Sequence, residues 1–395
     1  PCRMQKLIFL ALISGAILLF FSQTTVAQGC VAIRQMGCSG NTANSTALSK
    51  GQWQLSTNYR YFRSFRHFRG SHEEAERVEN GTEVINKTHA LDLGLSYSFT
   101  NRFSVAATLP VISNDRSSLY EHYGNSTTTN PEQKRFHTGS SGIGDLRLSG
   151  AYWLLNPEKH LKTNVALGLG IKLPTGNENV NDEFHKRRAT DGSDSIFVRP
   201  VDQSIQLGDG GVGVSLEVQA FTSLSQRALL YFSGFYLSNP RNTNKTLTRG
   251  GTMPAGEPLT AYHSVADQMA ARLGANYSFW PAKGLALNAG ARMEGIPAKD
   301  LIGESEGFRR PGYVVSAEPG LSWQNRNIFL TLNVPVALYR NRVKSVFDLA
   351  DPTGQRHGDA AFADYSINVG FTWRFGGQGH GMETPAAPTW KEAGQ

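Results

Sequence analysis

Seven basic residues, Arg60, Arg147, Lys162, Lys172, Arg272, Arg292 and Arg374, fall at positions of one parity in stretches that otherwise alternate apolar with small or polar side chains. Seven acidic ones, Asp92, Asp145, Asp209, Glu217, Glu294, Glu318 and Asp364, occupy equivalent positions. Opposite charges in equal number on one confined face pair and hydrogen-bond to one another instead of presenting a single field to a solute. Catalysis asks for a different constellation. The histidines are scattered, no GxSxG elbow is present, and a nucleophile held by His and Asp cannot be assembled. Asp182, Glu183, Asp191 and Asp194 carry oxygen ligands suited to calcium, but their spacing fits no EF-hand, and loop solvation explains them. Gly208, Gly210, Gly211 and Gly213 lack the Lys-Ser/Thr of a phosphate loop. His380 and Met382 are two soft ligands only. No cofactor and no metal is expected.

The elements that carry these charges are strands. In 142–176, Leu146, Leu148, Gly150, Tyr152 and Leu154 share one face, and Asp145, Arg147, Ser149 and Ala151 the other. After a turn at 156–159, Leu161 to Leu173 resume the apolar parity and Lys162 to Lys172 the polar one. This is a hairpin of two long strands, each apolar along a whole face. Soluble strands run to roughly five or six residues, whereas a tilted strand needs about nine to eleven to cross a bilayer.

The rest of the chain repeats that unit. Strands are expected at 52–65, 85–99, 103–111, 212–219, 228–237, 265–279, 285–293, 313–323, 328–338 and 365–375, which with the hairpin makes about twelve. The phase of 228–237 is open, because both of its faces are apolar. Connections alternate between three or four residues and long polar loops, the asymmetry of an outer-membrane barrel with short periplasmic turns and long external loops. Trp53, Tyr97, Phe99, Phe103, Tyr152, Tyr277, Phe279, Trp280, Trp323, Trp373 and Phe375 cluster at the short turns as an interfacial girdle, and Tyr59, Tyr61, Phe65, Tyr313 and Tyr365 could form the outer one. A secreted soluble β protein would have to explain both belts and the one-sided strands. The fold class is therefore all-β, a transmembrane antiparallel β-barrel.

The chain of 395 residues begins with a secretory pattern. Lys6, an apolar run over 7–21 and Thr25-Val26-Ala27 define a signal peptide over 1–27, with 1–3 an over-extended start. A short periplasmic segment over 28–50, the barrel over 51–375 and a flexible Gly/Pro-rich tail over 376–395 follow. Cys30 and Cys38 remain in an oxidising setting, where a disulfide is plausible. Lipidation of Cys30 is the rival reading. Net charge drops from +7 to +5 with Arg3 and Lys6 removed. No Lys/Arg block stands out, so nucleic-acid binding is not expected.

With the apolar faces toward lipid, the fourteen charged residues above line the lumen, which is expected to be narrow or partly filled. Pro110, Pro174, Pro319 and Pro335 fall within or at the ends of strands, where they cannot donate to the ladder. Ending the ladder is their ordinary role. At Pro110 or Pro335 a local wall defect would let an apolar solute leave sideways.

The motifs LPV at 109–111, GIGDLRLSGAYWLL, ALGLGIKLPTGNEN at 166–179, LGDGGVG at 207–213 and VPV at 334–336 resemble the outer-membrane proteins grouped under the MetA pathway of phenol degradation. The resemblance spans about 109–375 and implies a barrel transporter akin to the long-chain fatty acid and aromatic hydrocarbon channels. By analogy alone it also implies a phenolic solute. The expected function is passive passage of small apolar or aromatic molecules across the outer membrane of a Gram-negative bacterium. Expected partners are outer-membrane lipid, a small-molecule solute and the barrel-assembly machinery. A barrel lipase or protease and an adhesive barrel are the alternatives.

Overall fold

The computed structural model describes residues 47–248 and 258–377. The signal peptide, Cys30, Cys38 and the tail beyond 377, with His380 and Met382, lie outside the described residues. Strands follow in the order β1 (Gln52–Arg69), β2 (His72–Glu73), β3 (Ile85–Ser98), β4 (Phe103–Ser118), β5 (Phe136–Ile143), β6 (Leu146–Trp153) and β7 (Thr163–Leu173). The loop after β7 carries a hairpin of β8 (Asn181–Arg187) and β9 (Asp194–Pro200). Next come β10 (Gly213–Ser223), β11 (Ala228–Ser238), a small external pair β12 (Thr243–Leu247) and β13 (Tyr262–Ser264), β14 (Gln268–Trp280) and β15 (Leu285–Ile296). The series ends with β16 (Gly312–Asn325), β17 (Ile328–Asn333), β18 (Val336–Asn341) and β19 (Ala360–Gly376).

The wall is antiparallel and closed. β19 pairs with β1 from Gln52↔Gly376 to Phe68↔Ala360, which joins the ends of the sheet. β5 and β6 are halves of one wall strand beside β4, and β17 and β18 are halves of another between β16 and β19. With each pair of halves taken as one strand and the two-residue β2 set aside, twelve strands close the barrel. Closure leaves no backbone edge facing lipid, where an unpaired amide costs several kcal/mol.

Alternation decides what faces the bilayer. On β7, Leu167, Leu169 and Ile171 are exposed, while Ala166 and Lys172 between them are buried inside. Leu169 is 65% and Leu216 56% exposed, values a water-facing wall would not sustain over a continuous apolar band. Trp53 packs on Tyr97 at 4.6 Å, Phe99 on Phe103 at 5.9 Å and Trp373 on Phe375 at 4.6 Å, a belt at the short-turn end. Band and belt together set this chain in an outer membrane.

Three expectations need correction. The strands run beyond the membrane: β1 reaches Arg69, β4 reaches Ser118, and β5 already begins at Phe136. Polar residues hold these extensions, as where Thr88 Oγ1 donates to Asn114 at 2.8 Å, so no apolar alternation announces them. The strand expected as continuous over 328–338 breaks between β17 and β18. Val265, expected to open the eighth strand, is fully buried beneath the loops ahead of β14. The undecided phase resolves with Leu229, Phe235 and Leu237 buried on the inner face of β11.

Candidate functional site

Inner-face charges meet across the lumen. Arg60 on β1 lies 3.4 Å from Glu294 on β15, and Glu294 also takes Arg292 at 2.5 Å. Arg272 on β14 grips Glu318 on β16 with two bonds of 2.8 Å, and Arg292 stands 3.6 Å from the same carboxylate. Arg147 on β6 donates to Gln268 on β14 at 3.2 Å. Asp92 and Glu217 are buried on the inner wall beside these groups. The lumen is thereby divided, with a cavity of about 120 Å³ on the periplasmic side and one of about 70 Å³ on the outer side. Toward the short turns, Arg374 donates to Gln54 at 2.9 Å and to the Ala47 carbonyl at 3.2 Å, which holds residues 47 and 48 at the mouth. Leu48 there lines the lower cavity with Trp153 and Phe221.

One of the fourteen expected lining residues sits elsewhere. Lys162 is exposed in the turn ahead of β7, because the alternation was carried one residue past the strand. Asp209 reaches the outer lumen cavity from the loop before β10, and Asp364 sits near the external end of β19, bonded to Arg66 at 2.8 Å and Arg340 at 2.6 Å.

The motif residues converge at the break in the wall between β5 and β6. Pro110 on β4 faces this break, and its carbonyl accepts from the Gly144 amide at 2.8 Å. Thr175 Oγ1 donates to the Gly144 carbonyl and accepts from the Leu146 amide, both at 2.8 Å, standing in for the missing ladder. The buried Asp145 carboxylate accepts from the Gly176 amide at 3.0 Å and the Asp209 amide at 3.3 Å. Lys172 lies 3.8 Å from Asp145 and bonds Asp209 directly. Gly176 and Gly208 pack backbone to backbone, and a Cβ on Gly208 would fall 2.5 Å from the Gly176 oxygen and 2.6 Å from Asp145. That close approach is what the glycines of these motifs provide. Ala90, Ile112 and Leu207 form an apolar cluster against the same break. The second break is simpler. The Val334 amide donates to the Pro319 carbonyl at 2.9 Å, and the Ser366 amide donates to the Pro335 carbonyl at 3.1 Å, so each proline serves only as an acceptor.

Above the lumen the long loops enclose a vestibule of about 650 Å³. Arg116 on the extension of β4 holds Glu121 with bonds of 2.9 and 3.1 Å, and Arg310 holds Asp202 with bonds of 2.8 and 2.7 Å. Arg116 also reaches Asp202 at 3.5 Å, which links the two pairs. Burial pushes the Asp202 carboxyl up, yet Arg116 and Arg310 overcome it and hold it well below the usual carboxylate range. Arg342 pairs with Asp348 at 3.2 Å, and His67 Nδ1 meets Asp359 at 2.6 Å. His263 is buried between the vestibule and the upper lumen cavity, and its burial lowers its pKa to about 4. Sequence reading passed over all of these as polar loop. The one signal for them is the density of arginine in the loops, the Arg309-Arg310 doublet above all.

Among the described residues, carboxylates of the 177–201 loop are engaged by protein donors. Asp182 accepts from the Gly139 amide at 2.7 Å, Asp194 binds His185 at 2.6 Å, and Asp191 accepts from Ser193 within its own turn. His67, Glu74 and Asp359 come close together, but Arg77 lies between the carboxylates at 2.6 and 3.1 Å, and His67 Nε2 accepts from the Val84 amide at 2.9 Å. A guanidinium already occupies the place a cation would take.

No family model matches the chain, and no curated protein matches it. Among solved structures it is similar to the CymD monoaromatic hydrocarbon channel, at 12% identity and a TM-score of 0.43 over 88% of this chain and 98% of that one. It is similar to a Pseudomonas aeruginosa FadL homologue at 8% identity and 0.39, over 88% and 96%. It is also similar to the translocator domain of the autotransporter NalP from Neisseria meningitidis at 12% and 0.41, over 83% and 90%. Likenesses this distant assign no solute.

Proposed function

We propose that the barrel passes small apolar or aromatic molecules, phenolic compounds among them, across the outer membrane without an energy source. The observation that carries this reading is the interrupted ladder at Gly144 opposite Pro110, which lies beside the upper lumen cavity lined by Asp145, Leu207 and Gly208. An apolar solute descending from the vestibule meets a belt of paired charges, which it cannot solvate. The apolar cluster of Ala90, Ile112 and Leu207 offers it a sideways course at the break instead. Pro110 keeps that seam free of a donor in its strand.

The test is uptake of labelled phenol and toluene into proteoliposomes holding the refolded protein, with planar-bilayer conductance measured in parallel. Uptake above that of empty liposomes, with small or no conductance, is expected. Protein shown to be folded that neither conducts nor accelerates uptake would overturn the reading.

A further inference from the structure

We propose that the external vestibule is a binding site for aromatic carboxylates; its place at the entrance of a transport path rests on the proposed function of the barrel. The cavity of about 650 Å³ lies in the range of small-molecule sites. Its lining holds seven arginines against four carboxylates. Asp300, Glu74 and Asp351 approach Arg309, Arg77 and Arg356 from outside the lining, so the excess of positive charge is confined to the lining itself. Every lining carboxylate is held by arginine or His67, so none is left to repel an anion.

Cationic and aromatic surface are interleaved there. The Arg310 guanidinium lies 4.7 Å from the Phe308 ring centre, and that of Arg356 lies 4.1 Å from the Phe347 ring centre. Arg356 is exposed, and its backbone amide donates to Asp351 at 2.7 Å, a carboxylate that its charge also stabilises. A planar ring with a carboxylate at its edge matches this alternation, because guanidinium binds carboxylate in its own plane while the ring packs on phenylalanine. A neutral hydrocarbon would use only half of it.

The polar contact at the floor is His263. It is 2% exposed, lines both the vestibule and the cavity below, and its Nδ1 has no hydrogen-bond partner among the described residues. A buried polar atom without a partner is destabilising and calls for an explanation. A bound carboxylate supplies one, by accepting a hydrogen bond from the imidazole N–H.

Fluorine NMR with 4-fluorobenzoate and its neutral counterpart 4-fluorobenzyl alcohol, added to the folded barrel in detergent, tests the site. The carboxylate should bind at least roughly ten-fold more tightly than the alcohol, and weaken as salt is raised. His263→Ala should weaken it by roughly ten-fold, the effect of losing one hydrogen bond to a charged group. Arg356→Ala, at an exposed position that does not endanger folding, should weaken it by a smaller factor, and Arg356→Lys should recover part of the loss. Equal binding of alcohol and carboxylate, or carboxylate binding untouched by both alanine variants, would overturn the proposal. Uptake separates the two readings: carboxylate binding without uptake defeats transport, and toluene uptake without carboxylate preference defeats only the site.

Discussion

Arg60 on β1 and Glu294 on β15 meet at 3.4 Å although β16, the split strand β17/β18 and β19 stand between them in the wall. Their contact therefore crosses the lumen. Breaking such a buried pair strands a charge and costs about 3–5 kcal/mol, whereas apolar replacement of both partners is often neutral or stabilising. Glu294→Leu strands both Arg60 and Arg292 and should lower unfolding stability in detergent by about that amount. The double variant Arg60→Met with Glu294→Leu leaves only Arg292 short of a partner and should recover part of that loss. Equal losses in the single and double variants would mean the contact is incidental.

At the wall breaks, proline donates nothing and its carbonyl accepts from the opposite side. Pro110→Val and Pro335→Val restore a donor without touching those acceptors. Both variants should fold, and Pro110→Val should slow uptake of toluene by the proteoliposomes while leaving binding in the vestibule unchanged. Normal uptake by a folded Pro110→Val protein would rule out this seam as the route.

Gly208 is fixed by geometry rather than by dihedral freedom. A Cβ there would press on the Gly176 carbonyl and on Asp145, both rigidly held. Gly208→Ala should destabilise the barrel by about 1–3 kcal/mol, the usual range for forcing a group into a packed site. Gly81→Ala meets nothing within 4 Å and pays only for its φ of 64°. Comparing urea midpoints of the two separates crowding from backbone strain.

The barrel was legible because lipid imposes a period of two on one face of every wall strand, so Leu167, Leu169 and Ile171 announce themselves. β11 gave no phase because Leu229, Phe235 and Leu237 fill the interior with the same kind of side chain that faces the bilayer. Lys162 shows the opposite failure, a parity extended past the end of its strand. The lumen charges could be listed, but their partners could not, since Arg60 and Glu294 are brought together only by closure. The vestibule was invisible for a similar reason. Arg310 and Asp202 lie 108 residues apart in loops that carry no period at all. Pairing there is set by how the loops fold over the rim.

The external cap should respond to acid through His122. Its ring lies 5.2 Å from those of Phe136 and Phe184, and its Nδ1 accepts from the His185 amide at 3.1 Å, which requires a free lone pair. Burial lowers its pKa to about 4, with Glu121 opposing the shift and His185 and Arg199 adding to it. An unfolded histidine titrates near 6.5, so between these values the unfolded loop binds a proton that the packed loop refuses. The stabilising contribution is therefore complete above about pH 6.5 and is lost as pH falls toward 4. Asp359 acts lower on the scale. Burial raises its carboxyl, but His67 and Arg77 hold it far below the usual value, so its contribution persists through that window. Hydrogen exchange of segments 119–136 and 181–200, corrected for the intrinsic effect of pH, should speed up between pH 7 and pH 4.5 while the barrel strands stay protected. His122→Phe keeps an aromatic ring against Phe184 and removes the titrating group, so its exchange should lose this step. A step of the same size in His122→Phe would assign the acid response to another group, His263 being the first to test.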